Sequence, residues 1–161
     1  MTDTPAPSSR LNRRSLLGFG IVGAALAAGA FQALDFRPGY AGGNLLVADA
    51  HAQAAEGAIT LIDIRRPDEW ARTGVGASAH PIDMRRKDFI EALTAVAGPD
   101  RTAPIALICA RGVRSARLSR RLTEAGYTNI IDVPEGMLGS SAGPGWLAQG
   151  LPLVPYSGAS E

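Results

Sequence analysis

The chain has 161 residues, 46% of them hydrophobic and 19% charged, with a formal charge of +1. That length and composition suit one globular domain with one core and leave little room for a second. Without residues 1–30 the balance is 13 basic to 14 acidic side chains, which speaks against a nucleic-acid binder. The one cysteine, Cys109, excludes an internal disulfide and a cysteine-rich zinc site. It leaves a structural thiol, a reactive thiol or an intermolecular bridge.

Residues 1–11 are polar and carry Pro5, Pro7, Ser8 and Ser9, a composition too poor in apolar surface to order itself. Asn12-Arg13-Arg14-Ser15-Leu16-Leu17 follows, and then no charged residue until Asp35. This pattern resembles a twin-arginine export signal. Its apolar region is rich in Gly and Ala, and Ala28-Gly29-Ala30 supplies an A-x-A cleavage site. The competing reading is an uncleaved membrane anchor, because Ser15 to Leu34 is just long enough to span a bilayer. Either reading places the domain outside the cytoplasm, in the periplasm. The expected organisation is a signal peptide over 1–30, a linker over 31–44 with Pro38-Gly39 and Gly42-Gly43, a domain over 45–154 and a tail over 155–161.

Within the domain, Leu45 to Val47 reads as a short strand, and Asp49 as the cap of a small helix running to Glu56 and stopped by Gly57. Ile59 to Arg65 is a strand that carries Asp63 and Arg65 to its C-terminal end. Pro67 fits the first position of a helix, with Asp68 and Glu69 favourable in the first turn. Thr73 to Gly76 reads as a turn, and Ser78 to Ile82 as a peripheral strand interrupted by Pro81. Asp88 and Glu91 form a capping box for a helix whose Phe89, Leu93 and Val96 face the core, ended by Gly98-Pro99. Ile105 to Ile108, apolar and directly after Pro104, reads as a buried parallel strand. From Ser115 onward Leu118, Leu122 and Ala125 repeat on one helical face, with Gly126 as the stop. Asn129 to Val133 is the last clear strand, and Trp146-Leu147-Ala148 begins a final helical turn. Strands alternating with helices predict an α/β fold, a central parallel sheet with helices on both faces.

Cys109 therefore falls at the C-terminal end of a strand, where the sites of parallel sheets lie. Ala110, Arg111, Gly112 and Val113 separate it from the helix. Gly112 permits a positive φ, so that successive backbone N–H groups join those of the helix start in an anion cradle. A thiolate at its mouth is stabilised, and Arg111 and Arg114 draw an anionic substrate. A lone cysteine after a buried strand is otherwise an inert small hydrophobe; the glycine and two arginines directly after it favour the reactive reading. Asp63 and Arg65 read equally well as a structural ion pair or as part of the site. Neither His51 nor His80 has a partner at metal-ligand spacing, so no metal and no cofactor is expected. Arg85-Arg86-Lys87 reads as a solvated connection, with a docking patch as the alternative.

Three blocks, in order, resemble a single rhodanese domain over about residues 45–154. Leu61-Ile62-Asp63-Ile64-Arg65-Arg66-Pro67-Asp68-Glu69-Trp70 is similar to that family's early block, L-I-D-V-R-x-P-x-E-[FW]. Cys109-Ala110-Arg111-Gly112-Val113-Arg114-Ser115 is similar to its active loop, C-x-x-G-x-R-S. Asp132-Val133-Pro134-Glu135-Gly136-Met137, with Gly145-Trp146 and Gly150-Leu151-Pro152, is similar to its closing block. Two departures stand out: Gly74-Val75-Gly76-Ala77 lacks the family's usual histidine, and Met137 replaces the second glycine of a frequent pair.

The resemblance implies a rhodanese-like fold and a thiosulfate sulfurtransferase. Cys109 attacks the outer sulfur of thiosulfate or a similar donor, expels sulfite and holds a persulfide, which cyanide or a thiol then removes. Cys109 and Arg114 take the catalytic roles. Ala110, Arg111, Gly112 and Val113 form the substrate loop, and Arg65 is placed with them as a substrate-binding residue. The implied partners are a small anionic sulfur donor and a thiol or cyanide acceptor, with a sulfur-accepting protein as a further candidate. Nucleic acid is not among them, and a membrane enters only if the N-terminal segment stays uncleaved. Two readings compete: a persulfide carrier or partner-binding module without enzymatic turnover, and a phosphatase or arsenate reductase on the same fold. The latter use a C-x5-R loop, and here C-x4-R ends at Arg114.

Overall fold

In the computed structural model the chain divides into two units, Met1–Arg37 and Pro38–Glu161. The described residues are Met1 and 43–158, so the expected export signal and most of the expected linker lie outside them. In chain order the elements are α1 (Val47–Ala55), β1 (Thr60–Asp63), α2 (Pro67–Thr73), β2 (Val75–Gly76), β3 (Ala79–Pro81) and α3 (Phe89–Ala97). They continue with β4 (Ile105–Ile108), α4 (Val113–Glu124), β5 (Ile130–Val133), α5 (Gly145–Ala148) and β6 (Leu153–Val154).

The main sheet has the order β3-β1-β4-β5, with every pairing parallel. Its two central strands, β1 and β4, are covered on both faces. Ile62 and Leu107 pack with Leu93 of α3 and with Leu118 and Leu122 of α4. Leu61, Ala106 and Ile108 pack on the other face with Val47 and Ala50 of α1 and Trp146 of α5. A strand buried on both faces has no solvent side to place polar residues on, which is why Ile105 to Ile108 shows no alternation. Full burial of each such side chain contributes about 1.5–3 kcal/mol. Cys109 continues the alternation and belongs to the α3/α4 face.

The parallel sheet with helices on both faces is the architecture expected from the sequence, and the differences are local. Gly43 and Asn44, expected as the end of the linker, join the sheet with Leu45: Leu45 N–H donates to the Asp132 carbonyl at 2.9 Å and Asp132 N–H to that of Gly43 at 3.0 Å, extending the sheet past β5. Val47 is the first residue of α1 and not the end of a strand. Asp49 does not cap that helix; the Glu135 carboxylate accepts from Val47 N–H at 3.2 Å and does so from far along the chain. At α3 the Asp88 carboxylate is held by Arg86 at 3.0 and 2.7 Å and makes no cap. Val96 is 39% exposed, and Ala92 and Ala97 pack against the core instead. The segment read as a turn contains β2, which pairs antiparallel with β6 in a second small sheet. Among the described residues no helix is long and apolar enough to cross a membrane.

Candidate active site

Cys109 follows β4 directly and is 1% exposed. Its carbonyl accepts from Met137 N–H and the Ala110 carbonyl from Leu138 N–H, both at 2.9 Å. The closing block therefore clamps the first half of the loop. Gly112 has φ 79°, a conformation that side chains disfavour, and a Cβ there would run into the Pro134 carbonyl. Gly136, at φ 68°, faces the Ala110 carbonyl in the same way. These two glycines let the two loops lie against each other.

With Gly112 in the left-handed region, α4 starts at Val113, two residues earlier than its apolar repeat suggests. The first N–H of the helix to find an acceptor belongs to Ala116, which donates to the Gly112 carbonyl at 3.0 Å. Among the described residues nothing accepts from the successive N–H groups of Ala110 through Ser115. Unspent amide donors at a left-handed turn and a helix start form a site of positive potential. Ser115, fully buried, fixes the turn by donating to the Gly112 carbonyl at 2.9 Å, and its Oγ lies 3.6 Å from the Cys109 Sγ. Ala110 is buried with the sulfur, whereas Arg111 and Val113 stand in solvent, Val113 at 69% exposure.

Arg114 points to the site but is not free. Its two terminal nitrogens donate to the two carboxylate oxygens of Glu69, each at 2.7 Å. Glu69 sits in the first turn of α2, where its Oε2 also accepts from Arg66 N–H at 3.0 Å. The hydrogen bond from Arg114 prevails over the cost of burial and holds the Glu69 carboxyl down to about 2. In return Glu69 raises the Arg114 guanidinium above its usual range, with smaller contributions from the charge of Cys109 and a hydrogen bond to it. The guanidinium thus lies against the carboxylate, which fixes its place. Arg114 and Glu69 line an open cleft of about 390 Å³ with Arg66, Met84 and Arg85.

The position of Arg65 corrects its assignment to substrate binding. It is 1% exposed, and its guanidinium donates to Asp63 through Nε at 3.0 Å and Nη2 at 2.7 Å. Further bonds go to Thr73 Oγ1 and the Gly74 carbonyl, both at 2.8 Å or less, and to the Glu69 carbonyl at 3.4 Å. No donor remains for a ligand. Of the two readings of the Asp63 and Arg65 pair, the geometry supports the structural one: the pair secures α2, and with it Glu69, to the end of β1.

Two carboxylates of the site region escaped the sequence reading. Glu69 registered as a favourable first-turn acid and as a member of the early block, with no role at the site, and its partner lies on another element. Glu135 is buried and its Oε2 accepts from Gly145 N–H at 3.0 Å and from Gln149 at 2.9 Å, besides the bond from Val47. It ties α1 and α5 beneath the turn that clamps the Cys109 loop. The only signal for it was an acidic residue inside the closing block. Among the described residues no cluster of His, Cys, Asp or Glu is arranged to hold a metal ion.

Comparison with known proteins follows the same lines. A polysulfide-sulfur transferase homodimer from Wolinella succinogenes is 26% identical over 86% of this chain and 93% of its own, with a TM-score of 0.54. A rhodanese-related protein from Thermoplasma volcanium is 28% identical over 73% of this chain and 100% of its own, with a TM-score of 0.52. A protein of unknown function from Rhodopseudomonas palustris, described as a possible tyrosine phosphatase, is 20% identical over 94% and 100%, with a TM-score of 0.52, and shares the fold. No curated protein matches the chain. The model of the rhodanese-like domain matches residues 46–142, well over half of the chain, and the chain belongs to that family.

Proposed function

We propose that the domain is a sulfurtransferase that moves sulfane sulfur from thiosulfate or a similar donor to cyanide or a thiol through a Cys109 persulfide. The observation that carries this reading is the run of amides from Ala110 to Ser115 that find no acceptor among the described residues, directly after a buried cysteine. The transferase from Wolinella succinogenes, similar over most of both chains, supports it.

In the first step the Cys109 thiolate attacks the outer sulfur of the donor. A new S–S bond forms, the S–S bond of thiosulfate breaks, and its electron pair leaves on sulfite. In the second step the acceptor attacks the outer sulfur of the persulfide, and the electron pair returns to Cys109. Negative charge sits on sulfur throughout, so the site requires fixed positive potential more than a general base. The loop amides and the start of α4 supply it on the sulfur side, Arg114 on the cleft side. Arg111, exposed and without a hydrogen bond to another described residue, meets the incoming anion.

The same geometry weighs against a phosphatase. The phosphatase loop is C-x5-R, one residue longer than the C-x4-R that ends at Arg114, and one N–H on each terminal nitrogen of Arg114 is committed to Glu69. Transfer from thiosulfate to cyanide, run beside hydrolysis of an aryl phosphate on wild type and Cys109→Ser, tests the reading. Sulfur transfer that disappears in Cys109→Ser, with no phosphatase turnover, is the expected result. Transfer that survives the serine, or robust phosphate hydrolysis, overturns it. A carrier without turnover would form the persulfide once and release no thiocyanate. The twin-arginine pattern at Arg13 and Arg14 supports the further reading that the domain works in the periplasm.

A further inference from the structure

Beyond the cleft the fold holds a second concavity that the reaction leaves unused. A groove of about 160 Å³ runs between α3 and α4, floored by Phe89, Ile90, Leu118 and Leu122 and rimmed by Lys87 and Arg121. Met84 lines both this groove and the cleft that contains Arg114, so the two adjoin.

The charges along that path are unusual for this chain. Arg65, Arg66, Arg72, Arg85, Arg86 and Arg114 each face a carboxylate. Arg117, Arg120 and Arg121 of α4 are exposed, and neither they nor Lys87 form an ion pair with a described carboxylate. Arg114, Arg117 and Arg121 follow at i, i+3 and i+7, one stripe from the active loop to the groove rim. Like charges four apart destabilise a helix by a few tenths of a kcal/mol, so the fold gains nothing from this arrangement. Glu124, in the last turn, is the single acidic residue of the helix. Outside the first 30 residues the chain is nearly neutral, at 13 basic to 14 acidic side chains; the unpaired cations are local.

We propose that this surface docks the macromolecule that exchanges sulfur with Cys109: an acidic protein that seats an apolar side chain in the groove and brings its own thiol to the cleft. The proposal rests on the sulfurtransferase reading and specifies its partner. An anionic partner alone would need only the cations. The apolar floor, and Val113 at 69% exposure beside the loop, call for a partner with apolar side chains, which favours a protein over a nucleic acid or a lipid surface. In the transfer, the partner thiol loses its proton to water and its thiolate attacks the outer sulfur of the Cys109 persulfide. The Cys109 S–S bond breaks with its electron pair on Cys109, a new S–S bond forms on the partner, and no oxidant is consumed.

The test uses the full chain, loaded with thiosulfate, and three synthetic thiol peptides that share a Leu beside the Cys and differ in a flanking run of Glu, Ser or Lys. The rate constant to the Glu peptide is expected to exceed that to the Ser peptide by about tenfold at low salt and to converge with it as salt rises. In Arg117→Glu with Arg121→Glu that advantage is expected to vanish while transfer to cyanide stays at the wild-type rate. The milder Arg117→Gln with Arg121→Gln, expected to fall between, covers any loss of folding in the reversal. Equal rates for the three peptides, or an unchanged preference in the reversal, overturns the proposal. So does stronger competition by a polynucleotide or by anionic phospholipid vesicles than by a thiol-free Glu peptide. Failure of the wild type to transfer sulfur to cyanide would instead overturn the sulfurtransferase reading on which it stands.

Discussion

Glu69 and Arg114, separated by 45 positions in the sequence, meet through two parallel hydrogen bonds of 2.7 Å. The pair joins the start of α2 to the loop that follows Cys109, so the early block of the chain decides where the loop arginine lies. Planar guanidinium and carboxylate groups held in this way lose little further freedom, and Arg114 is held in one orientation at the edge of the cleft.

Removing the arginine is therefore expected to cost more than removing its holder. Arg114→Ala should lower kcat/KM for thiosulfate about ten- to a hundredfold, which corresponds to about 1–3 kcal/mol of charge-assisted interaction. Glu69→Gln keeps the cation and one acceptor, and should lose less. The double variant should resemble Arg114→Ala alone, since neighbours in one network do not add. Wild-type kinetics in Arg114→Ala would remove the guanidinium from the mechanism.

Acid should release the same pair. The Glu69 carboxyl titrates at about 2 in the fold, against 4.5 for the free group. Its contribution is thus complete above about pH 4.5 and disappears as the pH falls through about 2. The full shift corresponds to about 3 kcal/mol; with Arg114 32% exposed, screening reduces this to about 1–2 kcal/mol. Urea unfolding of wild type and Glu69→Gln should differ by that amount near pH 6 and converge only below about pH 2. A constant difference across the range would mean that the carboxylate is not the group responsible.

Arg65 should behave as part of the scaffold. Truncating one member of a buried pair leaves its partner charged and unsatisfied, at about 3–5 kcal/mol, so Arg65→Ala should lower the urea midpoint sharply. Arg65→Lys should also destabilise, because an ammonium cannot bridge Asp63, Thr73 and Gly74 together, yet the folded fraction should keep the wild-type KM. A raised KM at unchanged stability would place Arg65 in contact with the donor after all.

The export reading makes its own prediction. Expressed with residues 1–30 in a host with twin-arginine transport, the domain should appear in the periplasmic fraction with an N-terminus after Ala30. Arg13→Lys with Arg14→Lys should hold it in the cytoplasm. Periplasmic protein that retains Arg13 and Arg14 would favour the anchor.

How much of this was legible in the sequence depends on how far apart the interacting residues lie. The run Ile105 to Ile108 declares a strand buried on both faces, and Gly112 in its setting declares the turn after Cys109; both are local. The two-residue strands β2 and β6 are too short for any periodicity, and they exist because each finds the other. The helix α1 is capped by Glu135, 88 positions away, and no nearby residue signals it. Arg65 and Arg114 look alike as strand-end or loop arginines, but one is saturated beneath α2 and the other lines the cleft. Burial and partner choice separate them, and neither is written in spacing.

The central claim is that Cys109 carries sulfur. Intact-mass measurement of the protein after brief treatment with thiosulfate, before and after cyanide, tests it most directly. The account predicts a gain of one sulfur atom, located on the peptide that contains Cys109, lost on addition of cyanide with stoichiometric thiocyanate, and absent from Cys109→Ser. An unmodified mass at donor concentrations that saturate related transferases, or a sulfur adduct on any other residue, would contradict it.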